Sequence, residues 1–203
     1  MKNFKIIVLS FLVIAVSLSS YSQKDEKGKK KSKNSKMVIR FGSQTANFKA
    51  NGSALDGFSS LNGFYFGVAK FVKPLPIPFV RIGTGLEFFQ TGTVASNKNA
   101  VHLSYLSVPL NLRLKFGSIY FLGGVSPSLK VSDKWEILGE KITPEDDYKA
   151  KSFDIPVYAG MGFKILMFSI EARYHWGTMQ LYDDPKYSDL RNRYFQLGLG
   201  LSF

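Results

Sequence analysis

Between Tyr105 and Phe116 the chain alternates in character. Leu106, Val108, Leu110, Leu112, Leu114 and Phe116 fall on one side of an extended strand, and Ser107, Pro109, Asn111, Arg113 and Lys115 on the other. Alone, that strand fits either the half-buried sheet of a soluble sandwich or the wall of a membrane barrel. From Met37 onward no stretch of ten or more residues carries a helical period, and Gly, Ser and Asn punctuate short alternating runs. The pattern predicts an all-β chain with eight strands, over roughly 38–48, 60–71, 79–93, 101–116, 118–130, 152–165, 167–181 and 193–203. Strands of about 11 to 16 residues exceed the globular norm and can cross a bilayer at a tilt.

The connections alternate too. Val72 to Pro78, Gly117 and Leu166 are a proline-pinned bend and two tight turns, whereas Lys49 to Ser59, Val131 to Lys151 and Tyr182 to Asn192 are long and polar. Outer-membrane barrels have this arrangement of short periplasmic turns and longer outer loops. The faces separate the two candidate folds. Phe195, Leu197, Leu199, Leu201 and Phe203 alternate with Tyr194, Gln196, Gly198, Gly200 and Ser202, and Phe168, Ile170, Ala172, Tyr174 and Trp176 with Ser169, Glu171, Arg173, His175 and Gly177. A soluble sandwich would expose no aromatic stripe. Gly-rich polar faces with few charges of both signs instead suit the crowded interior of a narrow barrel. The expected fold is therefore an eight-stranded antiparallel up-and-down transmembrane β-barrel whose interior is filled by side chains. Tyr174, Trp176 and Phe153 are expected at its outer end as an aromatic girdle. Pro109, mid-strand, cannot donate to the ladder and is expected to cause a bulge or an unpaired carbonyl.

Composition narrows the compartment. Residues 1–22 read as a secretory signal, with Lys2 and Lys5, an apolar run from Ile6 to Val16, and small residues before Gln23. Residues 23–36 form a Lys-rich flexible leader and 37–203 the barrel domain. Of the net charge of +12, the leader carries +5 and the signal +2, so the basic excess is mostly tail, and nucleic acid is not an expected partner of an exported chain. The chain has no cysteine, which excludes disulfides, thiolate metal sites, cysteine nucleophiles and a lipoprotein anchor.

Tyr105-Leu106-Ser107-Val108-Pro109-Leu110 resembles the Tyr-Leu-x-Ile/Val-Pro-Leu strand of the PorT-like outer-membrane β-barrel family of Bacteroidota. Gly85-Leu86-Glu87-Phe88, Phe121 to Pro127, Glu171-Ala172-Arg173-Tyr174 and the final Phe203 add to the similarity. The resemblance covers Met37 to Phe203. It implies an eight-stranded barrel of the OmpA/OmpX kind in the cell outer membrane, with the final aromatic as assembly signal. It links the chain only loosely to secretion.

Candidate chemistry is sparse. Arg81, Glu87, Arg113, Lys115, Asp154, Lys164, Glu171 and Arg173 alternate inward, and unpaired ions there would be costly, so they are expected to form a structural salt-bridged plug. With a hairpin centred near Asn97, Arg81 faces Arg113, and Glu171 is the expected counter-ion. His102-Leu103-Ser104 has the His-x-Ser spacing of one lipid A deacylase family. No carboxylate is expected on the same outer face of the neighbouring strands, so the pair reads as headgroup-boundary residues, not as a catalytic site. His175 shares a face with Glu171 but has no aligned serine. Asp146, Asp147, Asp183, Asp184 and Asp189 lack the spacing of a Ca²⁺ loop, and no metal site, phosphate loop or cofactor fingerprint occurs. The expected role is that of a non-enzymatic structural or interaction component, or an accessory subunit of an envelope complex. Its partners would be outer-membrane lipid and envelope proteins met through 131–151, 182–192 or the leader. A lipid-modifying enzyme, a small porin and a soluble periplasmic lipid carrier are the alternatives.

Overall fold

The computed structural model describes residues 35–50, 53–54, 58–74, 77–95, 99–137, 140–142, 150–182 and 190–203. The expected signal, nearly all of the leader and the five loop aspartates lie outside the described residues. Eight antiparallel staves form the wall: β1 (Ser35–Ala50), β2 (Phe58–Val72), β3 (Val80–Ala95), β4 (Asn99–Ser107, then Leu110–Phe116), β5 (Ile119–Val125, then Ser128–Ile137), β6 (Phe153–Asp154, then Val157–Ile165), β7 (Phe168–Trp176) and β8 (Leu190–Ser202). Each pairs with its sequence neighbours, and β1 pairs with β8 from Val38↔Ser202 to Ala50↔Leu190. That last ladder closes the barrel and leaves no open edge.

The boundaries differ from expectation in three places. β5 continues past Lys130 to Ile137 and pairs back with Glu140–Ile142, so the expected loop starts as strand. β7 stops at Trp176 and β8 begins at Leu190. Lys36, expected in the leader, is already on β1. The tight turns are two residues long, closing Phe116↔Ile119 and Ile165↔Phe168, with positive φ at Gly117 (60°) and Leu166 (52°). Positive φ at the first central residue is what a type II′ hairpin turn demands.

Pro109 produces an interruption and no bulge. Val108-Pro109 leaves the ladder, yet Ser107 pairs with Ser128 and Leu110 with Val125, so the register resumes unshifted. Neighbouring staves break at the same height, at Ser126-Pro127 and Ile155-Pro156. The donors that remain are used: Val108 N–H bonds to Pro127 O at 2.9 Å and Ser126 N–H to Pro156 O at 2.8 Å. Clustering the three prolines confines the lost hydrogen bonds to one patch of the wall.

The wall sorts its side chains as the alternation requires. Leu106, Leu110, Leu112, Phe116, Phe121, Met161, Phe163, Ile170, Leu197 and Leu199 are exposed, and Ser107, Asn111, Arg113, Glu171, Arg173 and Gln196 are buried. A continuous apolar belt of this extent is the surface a barrel presents to hydrocarbon. Phe79, Phe116 and Phe121 pack together at the tight-turn end, with centroids 6.0 and 6.5 Å apart, and Tyr174 packs on Trp176 toward the other end, at 4.8 Å. Arginine at Leu110 or Leu112 is expected to cost roughly 2–4 kcal/mol near the midplane. Either variant should lose the heat-modifiable migration of the folded barrel in gel electrophoresis, and normal migration would overturn the lipid-facing assignment.

Candidate functional site

The lumen is layered, and its middle layer is ionic. Glu171 on β7 and Glu87 on β3 are 3% and 1% exposed, too deep to be solvated by bulk water. Three guanidiniums converge on Glu171: Arg113 Nη2 donates at 2.8 Å and Arg40 Nη1 at 3.1 Å, and Arg173 Nε stands 3.3 Å away. The Tyr120 hydroxyl donates to it as well, at 2.9 Å. Glu87 accepts from Arg173 Nη2 at 2.8 Å and Gln196 Nε2 at 3.2 Å, with Arg40 Nη2 at 3.4 Å. Gln196 also donates to Gln44 at 2.7 Å. Arg40 and Arg173 thus each touch both carboxylates, which makes one network spanning β1, β3, β4, β5, β7 and β8. Burial without such pairing would be prohibitive in so narrow a space.

Above the ionic layer lies a column of rings. Tyr158, His175, Tyr194, Phe89 and Tyr105 stack in succession with centroids 4.7, 4.3, 5.0 and 5.3 Å apart and interplanar angles of 25° or less. Ala46, Phe48, Leu103, Ala150, Leu181 and Leu190 pack around its upper part. The ends of the long loops are tied down there. Asp133 accepts from Lys130 Nζ at 2.7 Å and from Ala150 N–H at 3.1 Å, and Lys151 N–H bonds to Leu181 O. Glycine supplies room for the larger rings: a Cβ at Gly162 would sit 2.2 Å from the Tyr120 ring, and one at Gly198 would sit 2.2 Å from the Tyr65 hydroxyl.

The eight inward residues expected from the sequence do not form one plug. Glu87, Arg113, Glu171 and Arg173 meet in the ionic layer. Asp154 lies apart at the loop end, accepting from Asn192 Nδ2 at 3.4 Å and Met179 N–H at 3.3 Å. Arg81, Lys115 and Lys164 sit at the tight-turn mouth, beyond the reach of either carboxylate. Arg81 is opposite Arg113 in the ladder, but Glu171 pairs with Arg113 and not with Arg81. Arg40, Gln44 and Tyr120 were not expected there, and Gln196, assigned to the inward face of its strand, was not counted with the charged residues. Their inward placement follows from strand alternation, which puts Arg40 between the outward Ile39 and Phe41.

His102 also departs from expectation. Its Nε2 lies 3.4 Å from Glu136 on β5, so a carboxylate does stand on that outer face. The strand running past Lys130 is what brings Glu136 there. No hydrogen bond joins His102 to Ser104 among the described residues, and Nε2 has no hydrogen-bond partner at all. His175 is wholly inside the ring column. Among the described residues no cluster of His, Asp and Glu could hold a metal ion.

Truncating Glu171→Ala leaves Arg40, Arg113 and Tyr120 without their shared acceptor and should destabilise the barrel by roughly 3–5 kcal/mol. Removing the mouth cation Arg81, as Arg81→Gln, should cost nothing or stabilise slightly. Urea unfolding in detergent micelles would distinguish the two, and equal midpoints would refute the ionic layer as the barrel's internal brace.

No family model matches the chain, and no curated protein matches it. Solved structures do. The attachment invasion locus protein Ail of Yersinia pestis, crystallised with the heparin analogue sucrose octasulfate, aligns over 84% of this chain and 99% of its own, at 18% identity and a TM-score of 0.50. Neisserial surface protein A aligns over 82% of this chain and 97% of its own, at 10% identity and a TM-score of 0.54. At such identities the likeness is one of fold: this chain has the architecture of a small eight-stranded outer-membrane β-barrel.

Proposed function

We propose that this protein is an integral outer-membrane barrel that does not conduct and acts through what its ends bind, as a structural or interaction component or an accessory subunit of an envelope complex. One observation carries the reading: among the described residues a braced ionic layer, a five-ring column and an apolar cap follow one another inside the barrel, the filling expected of so narrow a lumen. Work must then be done at the surface. The apolar belt and the shared fold support an outer-membrane location. The Tyr105 to Leu110 motif supports a PorT-like barrel, and with it a place beside a secretion apparatus. Segments 131–151 and 182–192 and the lysine-rich leader are the parts with which such a partner would be met.

Purified protein in planar bilayers should give no stepwise conductance, and in-cell crosslinking with affinity purification should recover a defined envelope partner. Regular conductance steps would overturn the filled-lumen reading. A second reading, a lipid-modifying enzyme, rests on Glu136 beside His102. Incubation with lipid A should leave its mass unchanged. Loss of an acyl chain that disappears in His102→Ala would establish the enzyme instead.

A further inference from the structure

At the tight-turn end the lumen opens into a small recess lined by five cations, Lys36, Arg81, Arg113, Lys115 and Lys164, and by no carboxylate. Among the described residues, Arg113 alone of the five reaches an acid, through Glu171 in the layer above. Lys164 Nζ spends one donor on the Ser202 hydroxyl at 2.5 Å, a neutral partner. Arg81 Nη1 is buried without a hydrogen-bond partner, and so is Arg113 Nε, on a side chain 7% exposed. The Arg113 guanidinium cannot turn away to find water, because Phe71 and Tyr120 cover it at 3.9 and 4.0 Å.

Self-repulsion among five cations would ordinarily splay them into solvent. Here they come from β1, β3, β4 and β6, four staves held together by the ladders. Arg81 is placed opposite Arg113 by backbone pairing, which sets the two residues side by side at the mouth. Unpaired N–H donors on buried guanidinium edges, ringed by ammonium groups with no competing acid, form the donor set that recognises a tetrahedral oxyanion.

We propose that this recess is a binding site for a phosphate-class anion, either a free phosphate or the phosphodiester of a lipid headgroup. The guanidinium edges of Arg81 and Arg113 give direction, and Lys36, Lys115 and Lys164 act as point charges. The site needs only the barrel, so it stands whether or not the interaction role proposed above is right.

The test uses the full mature chain folded in nonionic maltoside micelles. Inorganic phosphate is titrated by calorimetry in one arm. In the other, native mass spectrometry reads retention of phosphatidylglycerol against phosphatidylcholine from mixed micelles. The variants are Arg81→Gln/Lys164→Gln, the milder Lys115→Gln, and Lys134→Gln, an exposed β5 lysine, as control. Saturable phosphate binding that weakens about tenfold in the double variant, less in Lys115→Gln, and not in the control identifies a free-anion site. Phosphatidylglycerol retention lost in the same variants identifies the headgroup as its source. Binding of neither ligand, or binding equal in wild type and in both mouth variants with heat-modifiable folding retained, overturns the proposal.

Discussion

Everything inside this barrel depends on sharing two carboxylates among three guanidiniums. A narrow eight-stranded barrel must fill its own interior, and the alternation that gives it an apolar outside sends polar groups inward. Arg40, Arg113 and Arg173 can be buried only because Glu87 and Glu171 stand on opposite sides of the network, so that Arg40 and Arg173 bridge them. The contacts link residues far apart in sequence, 131 positions for Arg40 with Glu171 and 86 for Arg173 with Glu87. These two contacts need distant staves brought to one lumen, whereas Arg40 with Glu87 lies within the first three staves and Glu171 with Arg173 on one stave, so the network is completed only as the wall closes.

The same crowding explains the glycines. The polar faces looked small because they had to be small. Gly162 and Gly198 are sockets into which Tyr120 and Tyr65 fit, and Tyr120 in turn donates to Glu171. Small and large residues alternate across the lumen so that rings lie flat against backbone and guanidiniums lie against rings. Arg173 stands over Tyr65 with its guanidinium carbon 5.0 Å from the ring centre, and Arg113 is held between two rings at 4.0 Å or less. Packing of this kind is how a narrow eight-stranded barrel fills its interior with side chains.

The sequence displayed the wall far better than its contents. Period-two alternation is local, so the faces of Leu106 to Phe116 and of Phe195 to Phe203 could be assigned without knowing any partner. The register of the third hairpin could be read from its turn, which put Arg81 opposite Arg113. The contents depend on distances across the lumen, and no local pattern encodes them. Arg40 was missed because its stave carries a mostly polar outer face, with Ser43 and Thr45 where others carry leucine, so its stripe is weak. Glu136 was missed because a strand was ended at Lys130 on the strength of a polar composition that a hairpin standing clear of the wall also has. Of the two outcomes expected at Pro109, a bulge or an unpaired carbonyl, the bulge does not form at that position: three staves break together and the register resumes unshifted across the gap.

Arg113 joins the two charged layers and sets their relation. With Phe71 and Tyr120 packed on its guanidinium, Arg113 finds acceptors through its in-plane N–H groups. One of them, Nη2, is committed to Glu171; another, Nε, is not paired. An anion in the mouth and the carboxylate above it would therefore address different edges of one rigid plane, and would not displace one another. The ionic layer is left with one more guanidinium than carboxylates, and the mouth adds four cations with no acid beside them among the described residues. Charge that the brace does not neutralise accumulates, among the described residues, at the tight-turn end of the lumen.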